Sequence, residues 1–225
     1  MTLQELHERL LAWATAPERQ EELLRARRAY FDRWGEPHEE ERSFETRMNG
    51  MLDYYLYDHR PEGSPHTTLD LFLRDQGAAY TSDQLTLLRD LGRALHGLFE
   101  VRKLKAGEWI RLRDLFSGKE HEVTERRQLA GLEKGDLLEA RLLPYRGGLF
   151  FTGAFLYHPR EVRKAILGEV KKRKKAAGGD PPDVKAFLGQ LSRMAQKLER
   201  YRNVKVESLY DFTAPAPTPP PLPRS

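Results

Sequence analysis

Apolar residues in the first 97 positions recur at the spacing of amphipathic helices. A first helix is predicted from the stripe Leu3, Leu6, Leu10 and Trp13. Thr15 and Glu18 have the spacing of a capping box, which favours a second helix starting there and stopping at Gly35. Similar signals predict further helices over about 38–58, 69–75 and 81–97.

The hydrophobic period changes from helical to alternating near Leu98. Five short alternating segments predict strands near 98–104, 109–112, 121–123, 137–145 and 149–157. Gly147-Gly148 is a hairpin signal between the last two, because glycine takes the positive φ of a primed turn without strain. The pattern predicts a small five-stranded barrel or curled sheet of the SH3-like or OB-like kind.

Helical spacing returns at Pro159, a residue type favoured in the first turn. One charged helix is expected to end at Gly178-Gly179, and an amphipathic helix follows, with Asp180 as its N-cap. The predicted fold class is α+β, in four segments: an acidic helical domain (1–97), a small β-barrel (98–158), a basic helical hairpin (159–206) and a disordered proline-rich tail (207–225).

Composition removes several classes of protein. The 225 residues include no cysteine, which excludes disulfides, thiolate metal sites and cysteine nucleophiles. The N-terminal residues form no apolar signal-peptide core, and the longest uncharged apolar stretch, 147–158, is too short to cross a bilayer. We therefore expect a soluble cytoplasmic protein.

Charge is distributed unevenly along the chain. Residues 1–97 contain 12 Arg, no Lys and 18 acids, a net charge of −6, whereas residues 159–206 contain 14 bases and 5 acids, a net charge of +9. Such an asymmetry indicates a partner surface more strongly than the overall charge of +4 does.

The segment 51–60 reads Met-Leu-Asp-Tyr-Tyr-Leu-Tyr-Asp-His-Arg and is followed by Gly63, Thr68-Leu69 and Phe72-Leu73. It resembles a bacterial family of unknown activity whose members read roughly F-[FL]-D-W-F-L-F-D-Y-R, then G-x-T-P-L-x-x-F-L. The resemblance covers about 44–158 and implies a helical part followed by a β-rich part, with no activity attached. Some relatives carry a cysteine-rich SEC-C zinc motif, which this chain lacks. The basic hairpin lies outside the resemblance.

The same segment holds the densest group of polar and aromatic side chains: Asp53, Tyr54, Tyr55, Tyr57 and Asp58. These residues form either a pocket or part of a core, with the aspartates then holding the following loop. Aromatic residues at helical spacing usually pack, which favours the core.

Motifs for catalysis are missing from the sequence, which contains no GxSxG, Walker loop, GxGxxG or HExxH. Asp114 with Glu139 and Arg141 resembles a nuclease set only weakly, and Asp136, Glu139 and Arg141 also fit the exposed face of a strand. The seven histidines are scattered and expected at the surface. We expect no enzyme, no cofactor and no metal.

The sharpest local signal is a run of five cations at 171–175. With the cations earlier in the same helix it gives a candidate nucleic-acid-binding set: Arg160, Arg163, Lys164, Lys171, Lys172, Arg173, Lys174 and Lys175. Two other interpretations stay open. The run also suits a solvated helix end, where cations complement the macrodipole, or a surface that docks on the acidic half.

The sequence therefore predicts a binding or regulatory protein whose partner is nucleic acid. The alternative is a protein–protein adaptor that uses the helical half, the amphipathic helix over 184–201 and the proline-rich tail.

Overall fold

The computed structural model describes residues 1–127, 131–201 and 203–213. The helices are α1 (Leu3–Ala14), α2 (Gln20–Trp34), α3 (Phe44–Tyr57), α4 (Thr68–Gln76), α5 (Ser82–Leu91), α6 (Arg163–Ala176), α7 (Val184–Arg200) and α8 (Val206–Leu209). The strands are β1 (Leu95–Lys105), β2 (Trp109–Asp114), β3 (Glu120–Thr124), β4 (Leu137–Tyr145) and β5 (Gly148–His158). The fold is α+β: N-terminal helices, a closed five-stranded barrel of mixed strands, then C-terminal helices.

Side-chain caps fix where several of the N-terminal helices begin. Capping boxes start α1 at Thr2 and α5 at Thr81, the second as the sequence predicts. The predicted box at Thr15 is wrong, because the Thr15 hydroxyl instead donates to the carbonyl of Leu11 and ends α1. A short 3-10 turn at Pro17–Arg19 then leads into α2.

The barrel strands run in the order β1-β2-β3-β5-β4, and β4 closes the barrel on β1. Neighbouring strands are antiparallel except β3 and β5, which are parallel. A five-stranded Greek-key barrel with this order has OB-type connectivity, and the parallel pair excludes an all-antiparallel SH3-type barrel. The alternating segments of the sequence thus correspond to the five strands, while the helix predicted up to Gly97 ends earlier, at Leu91.

The hairpin between β4 and β5 is tight, but its turn residues are Arg146 and Gly147 and not the predicted Gly147-Gly148. Both have positive φ, 48° and 77°, as a two-residue primed turn requires. Gly148 already belongs to β5 and pairs with Tyr145.

Strand β4 is buried on both faces, and this is what joins the parts of the molecule. Leu138, Ala140 and Leu142 fill the barrel interior. The alternate residues face outward, yet they are covered by helices: Leu143 packs in the core of the N-terminal helices and Leu137 in that of the C-terminal helices. The expectation that Asp136, Glu139 and Arg141 lie on an exposed strand face is therefore wrong, because all three are buried.

Helix α7 packs its apolar stripe into the chain's own core and its polar side chains on the C-terminus of α2. Asp183, not Asp180, caps it by accepting from the Ala186 amide. The last carbonyls of a helix have no partners within it. Side chains of α7 donate to carbonyls at and just beyond the end of α2, namely Ser192 to Trp34 at 3.1 Å, Arg193 to Arg33 at 3.0 Å, and Gln196 and Arg200 to Glu36 at 2.7 and 2.9 Å.

The C-terminal segment that precedes the prolines is part of the core, so the predicted tail boundary at residue 207 is too early. Tyr210 is 3% exposed, and its hydroxyl lies 3.2 Å from Nδ1 of His158. Phe212 contacts the ring of Phe187. The proline-rich stretch 214–224 lies outside the described residues.

None of the helices in the described part of the chain is long and apolar enough to cross a membrane.

Candidate functional site

Three arginines of the predicted nucleic-acid-binding set are engaged in contacts within the molecule. Arg160 forms a two-pronged pair with Asp136, at 2.6 and 3.0 Å, and Arg163 pairs with Glu100 at 2.5 Å. Both tie the start of α6 to the barrel. Arg173 pairs with Glu169 at 2.9 Å and lies 4.5 Å from the centre of the Phe187 ring, which ties α6 to α7.

The five lysines of the set are exposed on α6. With 3.6 residues per turn, Lys164, Lys171 and Lys175 fall on the side of the helix opposite the buried Ile166 and Val170. Lys174 is also exposed, about a quarter turn around the helix from these three, and Lys172 lies 3.6 Å from Glu169. The structure thus separates the set into structural arginines and a lysine stripe, which sequence density alone does not distinguish.

The outer face of the barrel carries a second cationic surface that the sequence analysis missed. Ile110 and Leu112 point into the barrel, so Trp109, Arg111 and Arg113 of β2 point outward. Strand pairing brings Lys103 beside them: its ammonium lies 5.7 Å, and the Arg111 guanidinium 5.6 Å, from the centre of the Trp109 ring. The alternation Trp-x-Arg-x-Arg is visible in the sequence and could have predicted part of this surface. Lys103 belongs to it only because the register of β1 and β2 pairs it with Arg111.

Carboxylates offset part of this barrel surface. Arg111 pairs with Glu122 of β3 at 2.9 Å. Among the described residues, Lys103 and Arg113 have no carboxylate within 4 Å. Their charges, together with the half-buried indole of Trp109, are what the surface offers to a ligand.

A third feature is a polar pocket between the helices and the outer face of β4. It is a small cleft with a free volume of about 30 Å³, and its polar lining comes from α2, α3, α7, β1 and β4. The polar side chains that line it are Tyr30, Thr46, Arg47, Asp53, His96, Glu139, Arg141 and Ser192. The cluster around Tyr54 therefore divides: Tyr55 and Tyr57 are core, whereas Asp53 turns toward the pocket.

The two carboxylates of the pocket are buried and only partly bonded. Glu139 accepts from the Trp34 indole at 3.3 Å and lies 2.9 Å from Nε2 of His96. Asp53 lies 3.9 Å from His7. Burial raises the pKa of Asp53 above its usual value, against the opposing effect of Arg141. Oδ2 of Asp53 and Oε2 of Glu139 have no hydrogen-bond partner among the described residues.

The two guanidinium groups beside them are directed elsewhere. Arg47 donates to Ser43 at 2.8 Å and to the hydroxyl and carbonyl of Ser192 at 2.6 and 3.0 Å. Arg141 pairs with Asp58, which also accepts from Lys185 at 2.8 Å. Burial acts to raise the pKa of Asp58, but these two cations outweigh it and hold the pKa below its usual value. Asp58 therefore links α3 to β4 and α7.

Asp114 and the histidines have structural surroundings. Asp114 accepts from the amides of Phe116 and Ser117 and holds the turn after β2. The expectation of surface histidines is wrong for His158, which is 5% exposed, and His59 and His96 are also largely covered. In the described part of the chain, no three residues of the types His, Cys, Asp and Glu are grouped as metal ligands would be.

Comparison with known proteins adds a family but no activity. The model of a family of unknown function matches residues 2–194. No curated protein and no solved structure matches the chain. The match includes α6, most of α7 and every residue that lines the pocket, so it reaches beyond the segment 44–158 to which the sequence resemblance was confined.

Proposed function

The chain belongs to that family, DUF7986, and from its surfaces we propose that it is a non-enzymatic nucleic-acid-binding protein. The observation that carries the proposal is the indole of Trp109 between Lys103 and Arg111 on the outward face of the barrel. A base stacks on such an indole while the neighbouring cations meet phosphates. Single-stranded nucleic acid suits this geometry, because its bases are free to stack.

Fold-level analogy supports the same surface. In OB-type barrels the face of strands 2 and 3, with the adjoining loops, binds oligonucleotides. Trp109, Arg111 and Arg113 lie on β2 and therefore on that face. The analogy adds to the residues and does not replace them, since one fold serves many functions.

The lysine stripe of α6 supplies the electrostatic part of the proposal. Lys164, Lys171, Lys174 and Lys175 are exposed, and each phosphate they neutralise releases counterions. We leave Arg160, Arg163 and Arg173 out of the proposed surface, because their charges are matched by Asp136, Glu100 and Glu169.

The adaptor alternative loses one of its surfaces. The apolar side of α7 is buried in the chain's own core through Phe187, Leu188, Leu191 and Met194. A protein partner would have to bind the outside of the helical half or the proline-rich stretch, and the described residues offer no specific feature there that favours one.

Binding of a labelled single-stranded oligonucleotide to the full-length protein, followed by fluorescence anisotropy over a salt series, tests the proposal. With about five to six phosphates neutralised by the α6 lysines and the barrel cations together, the log-log slope against salt should be about −3.5 to −4. Trp109→Ala should weaken binding about tenfold or more, through lost stacking. Changing Lys164, Lys171 and Lys175 together to Gln should flatten the slope by about 2.

A matched control removes the same number of charges from the acidic half, by changing Arg74, Arg89 and Arg93 to Gln. All three side chains are exposed, and none belongs to either proposed surface. This variant should bind as the parent does. If the oligonucleotide does not bind at about 50 mM salt, where screening is weak, or if its affinity does not change across the salt series, the proposal is overturned.

A further inference from the structure

We propose that Phe150 of β5 is a second stacking position for nucleic acid, so that the ligand is an unpaired, extended single strand lying across the barrel from β2 to β5. This inference rests on the proposed function, because it extends the surface around Trp109. It goes further by giving the path of the ligand, and it excludes a duplex, whose bases are paired and stacked.

The strand register places Trp109 and Phe150 in one row on the outside of the barrel. Trp109 pairs with Thr124 of β3, and Thr124 pairs with Phe150 of β5. The preceding residues, Val123 and Leu149, pair with each other and pack inside the barrel, so by alternation Thr124 and Phe150 point outward. The two aromatic side chains therefore lie at the same level on the outer face, with Thr124 between them.

Neither aromatic side chain is used by the cores of the molecule. Within the described part of the chain, the four buried clusters and the side chains packed against them include Phe151 and Phe155 of β5 but neither Trp109 nor Phe150. Both are half-buried on the barrel surface. Aromatic side chains bury a large area when they pack in a core, so two that stay outside it are available to stack on bases.

The ring of Phe150 is held in place while it stays partly exposed. It makes an edge contact with Tyr145, with the ring centres 6.0 Å apart, and the Tyr145 hydroxyl donates to the carbonyl of Met1 at 2.7 Å. An added Cβ at Gly148 would lie 3.3 Å from Cε2 of Phe150, so the ring leans over a position that has no side chain. A ring that is already fixed loses little conformational freedom when a base stacks on it.

The distance between the two positions determines the form of the ligand. Neighbouring strands lie about 4.8 Å apart, so the Cα atoms of Trp109 and Phe150, two strands apart, are separated by roughly 10 Å. Stacked bases rise by only about 3.4 Å per nucleotide along one strand. Bases on the two rings therefore do not stack on each other, and the backbone between them is extended.

The charges along the row complement a phosphate backbone. Lys103 and Arg113 lie beside Trp109, and Arg146 lies in the hairpin turn before β5, with its guanidinium 5.5 Å from the centre of the Tyr145 ring. Among the described residues, none of these three cations has a carboxylate within 4 Å. A single strand that crosses the row thus meets free cations at both ends.

The test measures binding of a labelled oligothymidylate of about eight nucleotides, within the site size of one OB-type barrel, to the full-length protein by fluorescence anisotropy. Phe150→Leu keeps an apolar side chain but removes the aromatic face, and should weaken binding about fivefold or more. In a double variant with Trp109→Ala the two losses should multiply, because separate positions contribute independently. Tyr157→Leu, at an exposed aromatic residue near the other end of β5, is the matched control and should bind as the parent does.

Phe150→Trp gives a direct signal of stacking. In a Trp109→Phe background, the new indole should retain binding, and its emission should be quenched when the oligonucleotide is added, because a base stacks on it. The same background without Phe150→Trp is the control, since its remaining residues Trp13 and Trp34 lie in the helical half and their emission should not change.

The outcomes separate this inference from the proposed function. If Trp109→Ala weakens binding but Phe150→Leu does not, the second position is wrong and the nucleic-acid function stands. Unquenched emission from Phe150→Trp would contradict the stacking in the same way, and it decides the matter if Phe150→Leu fails to fold. A duplex of the same length that competes as well as the single strand would show that binding is electrostatic alone. If the parent does not bind the oligonucleotide, both proposals fail.

Discussion

His158 is a buried histidine whose two ring nitrogens have different surroundings. Nδ1 lies 3.2 Å from the Tyr210 hydroxyl, whereas Nε2 has no partner among the described residues. Burial lowers the pKa of His158 to about 4, because the charged imidazolium is poorly solvated there. The histidine therefore remains neutral in the folded protein over most of the pH range.

Stability should consequently depend on pH through His158. The folded-state pKa lies below the unfolded value of about 6.5, so acid favours the unfolded state. The contribution is complete above about pH 6.5 and is lost as pH falls toward 4, with a total of about 3 kcal/mol. Urea unfolding at several pH values measures it.

A His158→Gln variant should lose most of that pH dependence, whereas the exposed His66→Gln should retain it. The comparison between variants matters because Asp53 acts in the opposite sense: burial raises its pKa, so acid favours its folded form. An unchanged slope in His158→Gln would assign the acid sensitivity to other groups.

At the scale of an element, two helical glycines show how packing decides whether an added methyl group stabilises or destabilises the protein. Gly189 of α7 lies against α2, and an added Cβ would be 2.9 Å from the carbonyl oxygen of Arg33 and 2.8 Å from its Cγ. Gly168 of α6 has open space around the same position, with nothing within 4 Å. The same substitution therefore has opposite consequences in the two helices.

Gly189→Ala should destabilise the protein by about 1–3 kcal/mol, because a backbone carbonyl cannot move aside as a flexible side chain does. Gly168→Ala should stabilise it by about 0.5–1 kcal/mol through helix propensity. Denaturant midpoints at constant m-value measure both. Equal shifts in the two variants would mean that α7 does not pack closely on α2.

At the scale of the whole molecule, the sequence predicted the features that depend on neighbouring residues better than those that depend on contacts between distant elements. The strands were readable from alternation because β1 to β3 have one face inside the barrel, and the Thr81 box was readable because a cap involves neighbouring residues. The burial of Glu139 and Arg141 was not readable, since it depends on which helices cover β4.

The candidate sites follow the same division. A run of cations is visible in the sequence, but the carboxylates that pair with Arg160 and Arg163 come from outside their helix, and Arg173 also contacts Gln190 and Phe187 of α7. The pocket depends on packing α3 against β4, which places Asp53 and Glu139 in one lining, and no spacing in the sequence encodes that packing. Charge density could thus be predicted from sequence, whereas the distinction between structural and free charges could not.

The C-terminal segment tests the packing of the whole molecule, because it closes the core that α6, α7 and the barrel share. A chain that ends at Lys205 lacks Val206, Leu209, Tyr210 and Phe212, all of which pack in that core. The loss should be about 3 kcal/mol or more, as for truncation of one large buried aromatic residue. A chain that ends at Phe212 retains these contacts, and its free energy of unfolding should match that of the full chain within about 0.5 kcal/mol.

The chain that ends at Lys205 should also lose the acid sensitivity of His158, since Tyr210 no longer covers the imidazole. If the chain ending at Lys205 keeps both its stability and its pH slope, Tyr210 does not bury His158, and the helices close the core without the C-terminal segment.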